Sequence, residues 1–505
     1  MRSRVAGHIT VTNMENKLFA TKKEVGISLI LSLFFIIFMW GFFSREIFAL
    51  GINFAVYLVS VVAFFVYRLR KNLKFDVSDS VWIVPLFLLS VSFAVYENPF
   101  FKAFSFLLFP VLFSVFYSYS WLERKKEIDW NSLFAIKIVK HILGFLVFLY
   151  PSIQFILNTI YNKEKNKGEV WKRVLTGIAL LLVALLVIVP LLSSSDPLFA
   201  EKLKPFYDAF TKILSTSIVA KIIVFVLLTL GTLTALIAWG RPLTITNTEK
   251  KTDVDIVITS IVLGGIFVVY LLFLWIQIDR LWVGALPFDF KETENLVKSG
   301  FWQLLFLSVI NIAIFLFLYR RTVSVGQKLL GVFSFASLLL LVSSAQRIVL
   351  YVTHYGFSYE KFYASYTVLF CGVLFLWLIS RLFINKKSNV VKFLAFQFLW
   401  MFSLVSIFPV ELFILKSNMT LVDRPDTKIH LFEMTMLSPD VLPQIKKYKA
   451  EGKLIEEVDL IIIKPNGEME ITKKEFDWNP WIEKQEKRIE NKKWYESTLS
   501  YIWAK

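Results

Sequence analysis

The sequence predicts an all-α polytopic membrane protein, with about eleven transmembrane helices and a small C-terminal extracytoplasmic α+β tail. Three observations predict it. First, 56% of the 505 residues are hydrophobic and 51 are Phe, where a soluble domain is about 45–50% apolar, and the mean hydropathy is +0.61. Second, the charged residues, 19% of the chain, gather between long apolar runs. Third, the excess of cations falls on alternate connecting segments.

A helix needs roughly 20 apolar residues to cross the hydrocarbon core. The runs that qualify are 25–43, 47–67, 80–96, 103–121, 174–192, 217–239, 256–278, 301–319, 329–350, 362–382 and 391–415. They must be helices, because an unpaired backbone group in lipid costs several kcal/mol. The first run follows basic residues as a signal peptide would. It is longer than a secretory core and no small-x-small cleavage site follows, so it reads as an uncleaved first span. The third run is short and carries Pro85.

Charge then sets the threading. With residues 1–24 cytoplasmic and the sides alternating, the cytoplasmic segments before residue 416 hold 29 Lys and Arg against 12 Asp and Glu. The outer segments hold 11 of each sign and the tail 16 of each, so the net charge of +17 lies on one side. This is the positive-inside pattern. A basic excess spread over membrane-adjacent segments meets anionic headgroups and does not form a nucleic-acid surface. The segment 122–173 complicates the count, because Ile142 to Leu157 is apolar enough to suggest a twelfth span. Lys137, Lys140 and Pro151 favour an amphipathic or re-entrant segment at the inner leaflet.

From Lys416 to residue 505 the composition turns polar. Val458–Lys464 and Met469–Thr472 read as strands around a Pro465-Asn466-Gly467 turn. Trp478 to Trp503 has helical spacing and suits docking on the rest of the tail or on the outer leaflet. The expected domains are therefore a cytoplasmic N-terminus (1–24), a helical membrane domain (25–415) and an extracytoplasmic tail (416–505).

Chemistry is harder to find. There is one cysteine, Cys371, so no disulfide forms within these residues and no thiolate metal cluster is available. His8, His141, His354 and His430 are too far apart for a local metal motif, and no Walker or Rossmann glycine pattern is present. No cofactor is expected. Polar residues do concentrate near the outer face: Asp279, Arg280 and Trp282 at the end of one span, Asp289, Glu292 and Glu294 in its loop, and Arg347 about one turn inside the next outer end. Tyr351, His354, Tyr355, Tyr359 and Glu360 follow, and Glu411 lies near the end of the last run. A charge in a span needs a partner, because burying it costs roughly 2.5–3.5 kcal/mol at mid-depth.

The candidate outer-face cluster is Asp279, Arg280, Arg347, His354 and Glu411, with Arg347 paired to Glu411 or Asp279. It would line an outward-open cavity for an ion, a lipid headgroup or a peptide. The simpler reading is an aromatic belt with ion pairs stapling helix ends. Asp196 before Pro197 reads as an N-cap, as do Ser438 and Asp440. Asn53, Gln277, Asn311, Ser343, Ser344 and Gln397 read as hydrogen-bonding groups between helices.

Four stretches carry a resemblance: Leu191-Leu192-Ser193-Ser194-Ser195-Asp196-Pro197-Leu198-Phe199, Ser299-Gly300-Phe301-Trp302-Gln303-Leu304, Arg347 to Tyr351 with Tyr355-Gly356-Phe357-Ser358 and Tyr363-Ala364, and Leu437-Ser438-Pro439-Asp440-Val441-Leu442-Pro443. In these the chain resembles a family of bacterial multi-pass membrane proteins catalogued only as a domain of unknown function. The family pattern usually has arginine where this chain has Lys361, a point charge in place of a bidentate fork. The resemblance implies the membrane architecture and no established activity, substrate or catalytic residue.

The function most consistent with these features is that of a non-enzymatic, transporter-like or envelope-associated cell-membrane protein. Its tail would contact an envelope protein or a lipid headgroup. The alternatives are a membrane-embedded transferase acting on a lipid-linked substrate at the outer face, and a membrane sensor.

Overall fold

The computed structural model describes residues 21–45, 49–72, 79–121, 132–153, 177, 181, 185, 188, 201–206, 208–209, 218–240, 254–277, 290–319, 321–322, 324–384, 389–425, 427–455, 457–463 and 469–504. The expected span 174–192 and the Asp196-Pro197 turn fall almost wholly outside them. The chain forms two units, Met1–Thr246 with Lys492–Ile502, and Asn247–Asn491 with Trp503–Lys505. Each holds apolar helices and part of the polar tail, so the division crosses the compositional boundary near residue 415.

In the first unit, α1 (Lys22–Phe38) begins on a capping box: Thr21 Oγ accepts from Glu24 N–H, and Glu24 accepts from Thr21 N–H at 2.7 Å. Helix α2 is Ile52–Lys71, α3 is Ser80–Val95 and α4 is Pro99–Ser120. Asn98 caps α4 through Phe101 N–H, with Pro99 at the first position. A shorter helix, α5 (Ser132–Leu143), runs into a 3-10 turn at Gly144–Phe148, and α6 is Ile218–Trp239.

One polar cluster orders these helices. Arg68, near the end of α2, lies 3.5 Å from Glu24 at the start of α1 and donates to Leu236 O near the end of α6. Its guanidinium stands 6.0 Å from the Trp121 ring at the end of α4. At the opposite ends, the Lys221 ammonium of α6 lies 5.4 Å from the Trp40 ring just past α1. Thus α1 runs against α2, α4 and α6. The turn between α1 and α2 is held by Asn53, whose amide donates to Phe38 O and Ala49 O.

In the second unit, α7 (Ile256–Gln277), α8 (Phe290–Leu318), α9 (Ser324–Tyr355), α10 (Tyr359–Ile384) and α11 (Val390–Ser406) alternate in direction. Val254 N–H donates to Arg321 O at one end of the α7–α8 pair, and Tyr270 OH donates to Asn311 Oδ1 midway. Trp377 of α10 stacks on Phe393 of α11 at 3.9 Å, and Gln397 donates to Phe370 O. The core includes Phe315, Phe333, Leu374, Phe375 and Leu378, each at most 1% exposed. The outward faces of α7 and α8 carry exposed Trp275, Leu272, Val269 and Phe306, as a lipid-solvated helix does.

The last expected run, 391–415, is not one straight rod. It breaks at Ile407–Pro409, and α12 (Val410–Leu421) turns away from α11 by 68°. Proline has no N–H and its ring clashes with the carbonyl four residues back. Among the described residues, seven helices are long and apolar enough to span, or eight with the bent pair as one. Helix α3 is apolar but only 16 residues long, and α1, at 17 residues, also carries Lys22, Lys23 and Glu24 in its first turn.

The tail continues through 3-10 turns at Leu431–Met436 and Pro439–Val441 into α13 (Leu442–Ala450). Strands β1 (Glu457–Ile463) and β2 (Met469–Glu475) pair antiparallel, with Leu460 opposite Thr472 and Ile461 opposite Ile471. Helix α14 is Asn479–Glu490, and its Trp481 donates to Thr435 O.

Candidate functional site

The second unit gathers its polar side chains where α9 ends and α10 begins. Helix α9 closes on Gly356, whose N–H donates to Val352 O and whose φ of +66° only glycine adopts freely. The turn is clamped by Asn418 of α12. Its Oδ1 accepts from Phe357 N–H at 2.6 Å, and its Nδ2 donates to Phe357 O at 2.9 Å. An amide so placed pairs with both backbone groups of one residue, as a neighbouring strand would. A Cβ at residue 356 would lie 2.6 Å from Asn418 Oδ1, so glycine is required twice over.

Helix ends leave carbonyls without intrahelical partners. Here Lys361 Nζ donates to Tyr355 O at 2.9 Å and Gly356 O at 2.8 Å, a cation at the negative end of the α9 dipole. The ammonium also lies 4.6 Å from the Tyr351 ring and 5.7 Å from the Tyr355 ring. Two carbonyls in different directions suit the rotatable donors of lysine, so the position loses little by lacking a guanidinium.

Glu411, in the first turn of α12, is 3% exposed. One oxygen accepts from Tyr359 OH. The other accepts from both the hydroxyl and the N–H of Ser438, the latter at 2.8 Å. Ser438 also caps the turn Pro439–Val441 by accepting from Asp440 N–H. A second stitch joins the tail to α9, as Lys428 N–H donates to His354 O at 2.7 Å.

Arg347 is 5% exposed and lies against Gly300 of α8. A Cβ on Gly300 would sit 1.7 Å from Nη1 and 2.9 Å from Cζ. Next to this contact, Phe301, Trp302, Ile348, Tyr351, Glu360, Lys361 and Ala364 line a small, half-open cleft.

Three of the five candidates thus lie at this end of the second unit. His354 Nδ1 rests on its own helix, 3.0 Å from Leu350 O. Glu411 is satisfied by Tyr359 and Ser438, which replace the expected pairing with Arg347. Asp279, Arg280 and Asp289 lie outside the described residues, as do the side chains of Glu292 and Glu294. Asn418 and Gly300 are partners that residue type alone does not announce, although Gly300 belongs to a stretch singled out above. Among the described residues, no group of three or more His, Cys, Asp or Glu could hold a metal ion.

Two of the four stretches that carried the resemblance touch directly, Gly300 on Arg347, and the fourth is linked to the third through Glu411, which accepts from Ser438 and from Tyr359 beside the Tyr355–Ser358 turn. No curated protein matches the sequence, and no solved structure does. The model of the family described as Domain of unknown function (DUF4153) matches residues 83–448, well over half of the chain, and its helices are long and apolar as a multi-pass membrane family requires. The chain belongs to the DUF4153 family.

Proposed function

We propose that this is a non-enzymatic, envelope-associated protein of the cell membrane. Its N-terminus is cytoplasmic, it crosses about eleven times, and its tail (416–505) is an extracytoplasmic α+β region that closes the outer ends of the helices. The observation that carries this reading is the Glu411 seal. Glu411, the one candidate carboxylate that is described, is not open to a substrate: one oxygen accepts from Tyr359 and the other from the tail residue Ser438. Glu411 and Asp440 are 3% and 6% exposed. A partner, whether an envelope protein or a lipid headgroup, would meet the tail's outer surface.

The threading has support in each unit separately. In the first, the ends gathered around Arg68 lie opposite those that meet Lys492–Ile502. Helices α4 and α6 both end on the Arg68 side, so α6 begins at the end opposite the one where α4 stops. The proposed single crossing at 174–192 agrees with those directions, and a second at 142–157 would not. In the second unit, the tail stitches to α9 and α12 at the ends opposite Val254 and Arg321.

Glu411→Ala tests the seal against a site. As a seal, Glu411 leaves the Tyr359 and Ser438 donors without an acceptor when removed, at about 1–3 kcal/mol each. The account expects less folded protein in the membrane, a lower unfolding temperature in detergent, and complementation of a deletion strain that falls in step with the protein level. Normal accumulation and stability with complementation abolished would instead mark Glu411 as a site residue and overturn the proposal.

A further inference from the structure

The last residues of the first unit point to a membrane contact that the seal does not require. The segment Lys492–Ile502 lies level with the ends of α1 and α2. Ser497 O accepts from Ile52 N–H at the first residue of α2. Gly51 passes so close that a Cβ there would lie 2.3 Å from Glu496 O. Tyr495 meets Phe38, the last residue of α1, edge-on at 5.5 Å. Lys492 Nζ reaches the fully buried Glu97 carboxylate at 2.7 Å, between α3 and α4. Four helices thus hold the segment at one height.

That height is where the apolar helices stop, and aromatic rings collect there. Phe42 stacks on Phe106 at 5.4 Å, Trp40 lies 4.9 Å from Phe43, and the Lys221 ammonium stands 5.4 Å from Trp40. Rings with a polar edge gather at the headgroup level of a bilayer. The segment adds Trp494, 74% exposed, and Ile502, 51% exposed. Lys493 is also exposed, its ammonium 5.6 Å from the Tyr495 ring. An indole left open beside a long cation matches the headgroup region, which takes the ring and lets the ammonium reach water.

We propose that Lys492–Ile502 is an interfacial anchor, docked on the helix ends of the first unit and presenting Trp494 to the headgroup layer of the bilayer. The occupant of this surface is the lipid of the protein's own membrane. A second copy of the chain or a soluble partner is the competing occupant, and the test separates them.

The full chain would carry Cys371→Ala to remove its cysteine and Trp494→Cys to take an NBD fluorophore. It would be reconstituted in phosphatidylethanolamine–phosphatidylglycerol vesicles, with headgroup spin-labelled lipid in both leaflets so that sidedness does not enter. The proposal expects blue-shifted emission, loss of most of it to the spin-labelled lipid, and little loss to aqueous iodide. The reference is a probe at Lys484→Cys, on an exposed position of α14. Quenching by iodide to the level of that reference, with none from the lipid, overturns the proposal in favour of open water. Protection from both quenchers overturns it in favour of a protein occupant. If Trp494→Cys does not fold, the exposed neighbour Lys493→Cys carries the same probe and the same outcomes. The seal at Glu411 is tested by protein level and stability, so either idea can fail alone.

Discussion

At Gly300 a single hydrogen does the work of a packing decision. The Arg347 guanidinium occupies the space a methyl group would take, with Nη1 1.7 Å from the ideal Cβ position. The neighbour here is the head of a side chain that is itself buried, so it cannot swing into solvent. Gly300→Ala should therefore cost about 1–3 kcal/mol, as overpacked cores do. In an Arg347→Ala background the same change should cost much less, because the clash is gone. Thermal unfolding of the four proteins of this double-mutant cycle checks it, and equal costs in both backgrounds would refute the packing account. Gly356 is a different case, since its positive φ penalises any side chain before Asn418 is met. The residue types at both places were legible in the sequence, Arg347 as a charge in an apolar run and the glycines within motif-like stretches. Their partners were not, because each pair joins different helices and nothing local sets the register between them.

At the scale of elements, the apolar runs located the helices because hydrocarbon solvent leaves the backbone little choice. Helix ends drifted by a few residues where caps such as Thr21 and Asn98 set them. The break between α11 and α12 was visible as Pro409 inside a run, yet the run's length argued for one rod. The break matters because α12, once turned, brings Glu411 and Asn418 to the tail. Of the mid-span polar residues, Asn311 and Gln397 fasten one helix to another, whereas the buried Ser344 hydroxyl has no hydrogen-bond partner among the described residues. The clearest element-level fastener is the one between Lys492 and the α3–α4 turn. Glu97 there is fully buried and holds Lys492 at 2.7 Å and Lys102 at 2.8 Å. Lys492→Met keeps the aliphatic bulk and removes one charge-assisted bond. Lys102 still neutralises Glu97, so the expected loss is about 1.5–3 kcal/mol, below that of a fully orphaned carboxylate. Unfolding in detergent measures this, and an unchanged unfolding temperature would mean that the segment is not fastened there.

At the scale of the molecule, the proposed threading draws on two kinds of observation, the charge asymmetry of the sequence and the helix directions within each unit taken by itself. The cations Arg68, Arg70 and Lys71 lie at the ends of the first unit away from its C-terminal segment. In the second, Arg321, Lys328, Arg381 and Lys392 lie at the ends away from the tail. Function was the least legible property, because the contacts around Glu411 and Asn418 are ordinary caps and hydrogen bonds between residues far apart in the sequence.

Threading is also what the whole account depends on, and it can be measured with an impermeant thiol reagent on intact cells. In a Cys371→Ala background, a cysteine at Lys484 should label without permeabilisation, and a cysteine at Ser388 should label only after the membrane is opened. Labelling of Ser388→Cys in intact cells, or protection of Lys484→Cys until permeabilisation, would contradict the account.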